Sequence, residues 1–391
     1  MEGDFIKISD WLLPLSWIYG AGVRLRNQMF EMGMLKSRSF DIPVISVGNI
    51  TVGGSGKTPH VEYLINLLRD KVKVAVLSRG YKRKSKGYML ATADTPMSDI
   101  GDEPYQMKKK FADIYVAVDK NRCHGIDQLT TNEETSDTDV ILLDDAYQHR
   151  YVKPGVNILL VDYHRLIMYD KLLPAGRLRE PQKGKARADI VIVSKCPADL
   201  KPMEFRVITK AMNLFPYQKL YFTTLKYGSL RPIYGGEDRK LDTLTGDTSI
   251  LLLTGIASPQ QMIVDLKPYT ERITPLTFPD HHQYTDADID RINAEFEAMK
   301  GNDKMIVTTE KDNARLCGME GLSDEVKKNI YVLPVEVGFM LDQEEDFNEN
   351  IIGYVRKNSR NSILAKAKDD NKSDNSDNSG NRTRTISFRN N

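Results

Sequence analysis

Residues 42–59 read IPVISVGNITVGGSGKTP, which is an apolar segment, a glycine-rich run, and then a lysine and a threonine. The β-branched segment at 42–47 is typical of a buried strand, whereas the pattern from Lys57 to about Arg69 is typical of a helix. The apolar segment at 73–77 predicts a second strand. A strand, a glycine-rich loop, a helix and a further strand predict the beginning of a parallel α/β sheet.

The glycine-rich run has the composition of a phosphate-binding loop (P-loop). Glycines allow the backbone to curl so that successive N–H groups point at phosphate oxygens, and the N-terminus of the following helix favours anions. Lys57 is expected to reach the β- and γ-phosphates of a nucleotide, and the Thr58 hydroxyl to bind Mg²⁺. A glycine-rich turn that binds no ligand is the alternative interpretation. The predicted nucleotide-binding residues are Thr51, Val52, Gly53, Gly54, Ser55, Gly56, Lys57 and Thr58.

Two positions of this loop bear on the class of enzyme. Thr51 stands where the strict pattern G-x-x-x-x-G-K-[ST] requires glycine. Val52 stands where the loops of partition-type ATPases carry a lysine. The valine therefore disfavours a nucleotide-switched ATPase and favours a metabolic enzyme.

Residues 140–145 read VILLDD, an apolar strand that ends in two carboxylates. In P-loop enzymes an Asp at the end of such a strand faces the Mg²⁺ that binds the nucleotide. We therefore predict that Asp144 and Asp145 are metal ligands together with Thr58, and the sequence leaves open which of the two aspartates faces the metal. An ordinary strand end with a capping Asp is the alternative.

Further apolar segments outline the domain organisation. Short segments with little alternation at 114–118, 157–161 and 190–193 predict buried strands of a doubly wound, mostly parallel sheet. A second series, from a strand at 249–253 to a last strand at 331–335, predicts a smaller α/β domain. Beyond about residue 358 the chain is too polar to bury a core. The predicted segments are 1–38 (helical and membrane-associating), 39–215 (P-loop domain), 216–357 (smaller α/β domain) and 358–391 (disordered tail).

The N-terminal segment has an unusual composition. Residues 11–23 read WLLPLSWIYGAGV, contain both tryptophans of the chain, and are followed by Arg24 and Arg26. This composition is typical of a helix that lies in a membrane interface, although a helix packed on the protein core would read the same way. No segment reaches the roughly 18 uninterrupted apolar residues that a spanning helix requires.

Overall composition excludes several classes. Lys and Arg number 55 against 54 Asp and Glu, a formal net charge of +1, which argues against a general nucleic-acid binder. The three cysteines, Cys123, Cys196 and Cys317, form no CxxC pair and therefore indicate neither a structural zinc site nor a disulfide framework. Three isolated cysteines fit a reducing cytosol.

Eight motifs, taken in order, resemble those of the tetraacyldisaccharide 4'-kinase family over roughly residues 10–335. This family has its own variant of the phosphate-binding loop, which accommodates Thr51. The resemblance departs at Ala146 and Lys82, where the family more often has glycine, which implies slightly different loop geometry. The motifs are GNITVGGSGKTP (48–59), SRGYKRK (78–84), GDEPYQM (101–107), DDAYQHR (144–150), LLPAGRLREP (172–181), LTGIASP (253–259), FPDHHQY (278–284) and TTEKDNA (308–314).

The resemblance implies a reaction and a location. ATP, with Mg²⁺, would donate its γ-phosphoryl group to the 4'-hydroxyl of a tetraacyldisaccharide 1-phosphate to give lipid IVA. Because the acceptor carries four acyl chains, the N-terminal helix would dock the enzyme as a peripheral protein on the cytoplasmic face of the inner membrane. No nucleic-acid partner is implied.

The resemblance also implies catalytic residues, which would act together with Lys57. An Asp and a His would take the proton of the acceptor hydroxyl, and the matching positions are Asp102 and His281. His282 is a rival for the histidine, and Asp102 could instead cap a helix, since Gly-Asp-Glu-Pro is a good helix start. Arginines that could hold the lipid phosphate or transition-state charge are Arg79, Arg122, Arg177 and Arg179. Glu310 and Lys311 are either structural or nucleotide contacts.

Two other functions fit parts of this pattern. A P-loop transferase acting on a soluble acceptor would need no membrane-binding helix. A nucleotide-switched interaction ATPase would hydrolyse ATP slowly and phosphorylate no acceptor.

Overall fold

The computed structural model describes residues 8–256, 259–280, 282–316 and 319–359. Two of the predictions above, the catalytic His281 and nearly all of the tail predicted at 358–391, lie outside these residues. The described part is built from two mostly parallel sheets flanked by helices, as the sequence predicts for an α/β protein.

Fourteen strands are present in the described part of the chain. They are β1 (Val44–Gly48), β2 (Val74–Ser78), β3 (Met89–Leu90), β4 (Tyr115–Val118), β5 (Val140–Asp144), β6 (Val156–Asp162), β7 (Ile190–Ser194), β8 (Lys219–Tyr227), β9 (Arg231–Pro232), β10 (Ser249–Thr254), β11 (Ile273–Thr277), β12 (Lys304–Thr309), β13 (Ile330–Leu333) and β14 (Val335–Phe339).

Eleven α-helices connect the strands in the same described residues. They are α1 (Leu13–Glu31), α2 (Lys57–Leu68), α3 (Met97–Ile100), α4 (Asp102–Lys110), α5 (Arg122–Thr131), α6 (Pro202–Met212), α7 (Gln260–Leu266), α8 (Asp286–Ala298), α9 (Glu310–Leu316), α10 (Asp324–Asn329) and α11 (Glu344–Asn358).

The larger sheet contains nine strands in the order β14-β8-β7-β6-β1-β5-β2-β4-β3. All pairs from β8 to β4 are parallel, and only the two edge strands run antiparallel to their neighbours. Every residue of β1, β2, β5 and β7 is buried, because helices cover both faces. We call this sheet and its helices the first lobe.

The smaller sheet has the order β11-β10-β12-β13-β9, with β9 antiparallel to β13 and the other pairs parallel. We call this sheet and its helices the second lobe. The chain enters this lobe after β8 and leaves it before β14, so the second lobe is inserted between two strands of the first. The Gly228 amide donates to the Pro334 carbonyl over 3.0 Å where the two crossings meet.

Sheet membership does not follow the predicted domain boundaries at 215/216 and 357. The strand β8 pairs with β7, and both β14 and α11 return to the first lobe. The segment 331–335, predicted as one strand, is divided at Pro334 between β13 of one sheet and β14 of the other. A sequence pattern detects strands but not the sheet that each joins, which explains the difference. We propose that the second lobe extends over residues 229–333.

The helix α1 packs on the first lobe with its small and polar side. Ser16 Oγ donates to the Leu172 carbonyl over 3.0 Å, and Tyr19 donates to the Arg179 carbonyl over 2.7 Å. The apolar residues of this segment lie on the outside, with Trp11 80%, Trp17 67% and Ile18 72% exposed. These side chains are therefore not buried, as they would be if the helix packed its apolar side on the protein core. Among the described residues, no helix has both the length and the apolar character needed to cross a bilayer.

Candidate active site

The glycine-rich loop connects β1 to α2, as predicted. Gly53 has a φ of +119° and Gly56 a φ of +77°, conformations that side chains rarely adopt, so glycine is required at both turns. Lys57 is the first residue of α2. The loop therefore ends at a helix N-terminus, which favours negative charge.

The carbonyl groups of this loop are held from the protein side. Ser194 Oγ donates to the Ser55 carbonyl over 2.9 Å, and the Lys195 ammonium donates to the Gly54 carbonyl. Within the residues described, the structure records no acceptor for the N–H groups of residues 53–57. A row of unused amide donors is what binding of phosphate oxygens requires.

Thr51 has a structural role that the strict loop pattern does not provide. The Asn49 amide donates to Thr51 Oγ1 over 3.3 Å and to Ser55 Oγ over 2.7 Å. These bonds tie the beginning of the loop to its end. The Val52 amide donates to the Arg177 carbonyl over 2.8 Å, which fixes the outer side of the loop.

The acidic strand end lies beside the loop. Asp144 at the end of β5 pairs in register with Val47 on β1, so both elements meet at the carboxyl edge of the sheet. Lys57 Nζ lies 3.7 Å from Asp145 Oδ1, and the Arg179 guanidinium lies 3.4 Å from the same carboxylate. The structure therefore brings together Lys57, both aspartates and the loop, as the sequence predicts.

The two neighbouring aspartates have opposite electrostatic environments. Burial, together with the negative charges of Glu103 and Asp145, raises the pKa of Asp144 to about 7. Burial opposes ionisation of Asp145 as well, but the nearby Lys57 and Arg179 cations hold the pKa of Asp145 below its usual value. The Asp144 carboxylate accepts one hydrogen bond, from Ser78 over 3.2 Å, and its Oδ1 atom is buried without a partner among the described residues.

Thr58 contacts a carboxylate that the sequence analysis did not single out. Its hydroxyl donates to Glu103 Oε1 over 3.3 Å, and Lys311 of the second lobe forms an ion pair with the same oxygen. Burial alone would raise the pKa of Glu103, but the charges of Lys311 and Lys57 lower it. Glu103 therefore connects the predicted metal site to α9.

Asp102 is buried between the lobes. It is the first residue of α4 and follows Gly101 at the N-cap position, and its carboxylate accepts from the Glu103 amide over 3.1 Å, so it also satisfies an amide at the start of this helix. Its Oδ2 atom lies 2.5 Å from the Arg315 guanidinium. His281 lies outside the described residues, so the Asp102–His281 pair stays a prediction. The rival His282 lies 2.9 Å from the carboxylate of Asp288.

The predicted arginines differ in their surroundings. Arg122 is buried and donates to the Asp119 and Asp144 carbonyls over 2.7 and 3.1 Å. Burial lowers the pKa of Arg122 to about 10. Arg79 directly follows β2, and Arg177 and Arg179 lie on the segment that borders the loop and Asp145.

Several residues at this edge were missed by sequence reasoning. Ser78 and Ser194 are the last residues of parallel strands, and Lys195 follows directly with a φ of 59°. The carboxyl ends of parallel strands meet at one edge, where ligands bind in open α/β sheets. A polar residue at the last position of each predicted strand would have been the signal for them. Glu103 and His60 had the weaker signal of lying in the first turn of a predicted helix.

The fold and this edge define a P-loop kinase, in which free loop amides, a lysine and an acidic strand end surround one place for a nucleotide's phosphates. The tetraacyldisaccharide-1-P 4'-kinase family model matches residues 8–356. The chain belongs to this family, which confirms the resemblance noted from the motifs.

Relatives and a solved structure agree with this assignment. A tetraacyldisaccharide 4'-kinase of Phocaeicola vulgatus is 60% identical over 363 residues, 93% of this chain and 99% of the relative. One of Bacteroides thetaiotaomicron is 54% identical over 373 residues, 93% of this chain and 98% of the relative. The crystal structure of the "apo" form of LpxK from Aquifex aeolicus in complex with ATP superposes with a TM-score of 0.68 at 31% identity, covering 88% of this chain and 98% of that one. The predicted α/β fold class is thereby confirmed.

Proposed function

We propose that this protein transfers the γ-phosphoryl group of ATP to the 4'-hydroxyl of tetraacyldisaccharide 1-phosphate, which yields lipid IVA. The observation that carries the proposal is the row of free amides at residues 53–57 beside Lys57 and the β5 carboxylates. Family membership supports the identity of the acceptor, and the ATP in the Aquifex aeolicus structure supports that of the donor.

The residues at the strand edge fit a magnesium ion. Asp144 Oδ1 is a buried carboxylate oxygen without a donor, and a bound cation would stabilise it. The Asp145 carboxylate, in contrast, is already paired with Lys57 and Arg179. We therefore assign Asp144 and the Thr58 hydroxyl to the metal and give Asp145 the role of orienting Lys57. When bound, Mg²⁺ would neutralise charge on the β- and γ-phosphate oxygens.

The chain's own residues account for the remaining requirements of phosphoryl transfer. The loop amides and Lys57 would hold the β- and γ-phosphates in place, so that little reorganisation is needed during the reaction. His281 is proposed to accept the proton of the attacking hydroxyl, and Asp102 to orient it. Arg179, next to Asp145, is placed to approach charge that develops on the transferred group.

The exposed apolar side of α1 supports docking on a membrane. Leu15, Ile18 and Leu25 recur at helical spacing on α1, Trp11 lies in the 3-10 turn just before it, and all four are more than half exposed. The opposite side of the helix contacts the segment that carries Arg179, so a docked helix would bring the active-site edge close to the bilayer. We propose a peripheral position on the cytoplasmic face of the inner membrane, and no nucleic-acid partner.

The reaction is tested with the full chain, γ-labelled ATP, Mg²⁺ and tetraacyldisaccharide 1-phosphate in detergent micelles, followed by lipid chromatography. We expect label in a single product lipid. Label found only in inorganic phosphate would favour the nucleotide-switched ATPase, and no transfer of label either to lipid or to phosphate would favour the transferase that acts on a soluble acceptor.

Membrane docking is tested separately by sedimentation with vesicles of anionic phospholipid. Replacing Trp11, Trp17 and Ile18 by serine should weaken binding at least about tenfold, because large apolar side chains no longer enter the interface. The control replaces the exposed apolar side chains Met203 and Val207 on α6 and should bind normally. Equal loss in both variants would remove α1 as the docking element.

A further inference from the structure

His60 occupies a position on α2 one turn after Lys57 and faces back toward the phosphate-binding loop. The side chain is buried, with 4% of its surface exposed. Its Nδ1 atom lies 2.7 Å from the Gly56 carbonyl oxygen, and its Nε2 atom lies 3.0 Å from Thr223 Oγ1 on β8. Both ring nitrogens are therefore used, one toward the loop and one toward the sheet.

The hydrogen-bond partners determine which nitrogen carries the proton. A carbonyl oxygen only accepts, so Nδ1 must be the donor to Gly56. Nε2 faces a hydroxyl, which can donate to it. The ring is thus held in the tautomer whose N–H points at the loop, and Thr223 fixes the plane of the ring from the other side.

The Gly56 carbonyl shares one planar peptide group with the Lys57 amide. In a trans peptide the C=O and N–H bonds point in opposite directions, so fixing one fixes the other. Gly56 has positive φ and no side chain, and its carbonyl also accepts the backbone N–H of His60 over 3.3 Å, a longer bond than the one from the ring. The shorter hydrogen bond from the His60 ring reinforces that backbone bond and keeps the Lys57 N–H directed away from the ring, on the side of the loop amides at 53–57.

We infer that His60 is a positioning residue for nucleotide binding, which acts by locking the 56–57 peptide so that the Lys57 amide is presented to a phosphate oxygen. The inference rests on the proposed function, because it assumes that the loop binds MgATP. His60 itself would touch neither nucleotide nor lipid.

The test measures the Kd of MgATP, without lipid, for three variants of the full chain. In His60→Asn the side-chain amide can take the place of Nδ1–H, whereas His60→Gln and His60→Leu lose the donor at that point. We expect near-normal affinity for the Asn variant and a Kd raised about 3- to 10-fold for the Gln and Leu variants. The KM for the lipid acceptor should be unchanged in all three.

A merely structural role predicts the opposite order. Leucine preserves the volume of the ring and would leave the Kd unchanged, while the smaller asparagine would be the worst of the three; that order would overturn the inference. Tyr63→Phe is the matched control, because it removes hydrogen bonds that hold α2 to α11 without approaching the loop, and its Kd should equal that of the wild type. Failure of the wild type to bind MgATP would instead reject the proposed function.

Discussion

The two lobes contain similar strand-to-turn junctions that satisfy their backbone differently. In the first lobe, the Gly54 and Ser55 carbonyls of the loop after β1 are bound, whereas the amides of residues 53–57 have no acceptor among the described residues. In the second lobe, the turn after β10 begins with Gly255, whose amide donates to Asp312 over 2.9 Å and whose carbonyl accepts from Arg315 over 2.9 Å. Both polar groups of that glycine are already used.

The comparison shows what separates an anion site from a structural turn. Asp312 acts as a built-in anion for the second-lobe turn, and Arg315 neutralises it over 3.0 Å while also reaching Asp102 of the first lobe. In the part of the chain that the structure describes, no such carboxylate accepts from the first-lobe loop amides at 53–57. A glycine turn at the end of a parallel strand therefore binds a phosphate only where the protein leaves the amides unused.

The largest expected effect is the loss of kcat when the Lys57 ammonium group is removed from the first-lobe loop. Lys57→Ala should lower kcat by roughly 10³-fold, because the free amides alone cannot neutralise the charge of the transferred group. The measurement is steady-state transfer of label to lipid, with circular dichroism to verify folding. Lys240→Ala, an exposed lysine of the second lobe, serves as control. Near-normal turnover of a folded Lys57→Ala protein would show that the loop is not the nucleotide site.

The next effect concerns stability and belongs to the second lobe. Asp312→Asn should lower the free energy of unfolding by about 3 kcal/mol, because it leaves the buried Arg315 with one partner fewer and places an amide group among donors. Urea unfolding measures this change, while the Kd of MgATP should stay within about threefold. Asp303→Asn, which breaks a more exposed pair with Arg239, should cost less than about 1 kcal/mol. Equal losses in the two variants would contradict the built-in-anion role.

The smallest expected effect is also on the free energy of unfolding, but its sign is opposite to that of Asp312→Asn. Replacing Asp144 by Asn should stabilise the protein. Because the pKa of Asp144 is raised to about 7 when folded, the folded protein keeps a proton that the unfolded chain releases above about pH 4. Wild-type stability from this group is therefore lost as the pH rises from 4 to 7. Asn does not ionise, so Asp144→Asn should nearly match wild type at pH 4 and be more stable by about 2 kcal/mol at about pH 5.5, part of the way through that range.

This pH series is measured by urea unfolding without nucleotide and with a chelator. A difference that does not vary with pH would contradict the unsatisfied environment assigned to Asp144. The same variant should lose kinase activity, so that a gain in stability accompanies a loss of function, as is expected where a site holds an unpaired charge for its ligand.

Much of the first lobe and of its phosphate-binding edge was predictable from the sequence. The apolar segments that become β1, β2 and β5 are β-branched and buried on both faces, so their identity depends on local composition alone. The meeting of Lys57 with Asp144 and Asp145 follows because parallel strands end at one edge. Those parts of the site required no knowledge of distant contacts.

The remainder depends on contacts that no local pattern records. Glu103 and Lys311 meet only because α4 and α9, from different lobes, pack together. The return of β14 to the first sheet depends on the turn at Pro334 and on burial of Phe347 and Ile351 from α11. The outward side of α1 follows from Ser16 and Gly20, whose small size allows close packing on Leu172.

The double passage of the chain at Gly228 and Pro334 limits how the lobes can rearrange. The two peptide segments lie side by side, are joined by a 3.0 Å hydrogen bond, and form a two-stranded hinge. They permit bending about one axis but resist twisting, which a single tether would allow. A bend about that axis would therefore return Lys311 and Arg315 to the same partners on α4.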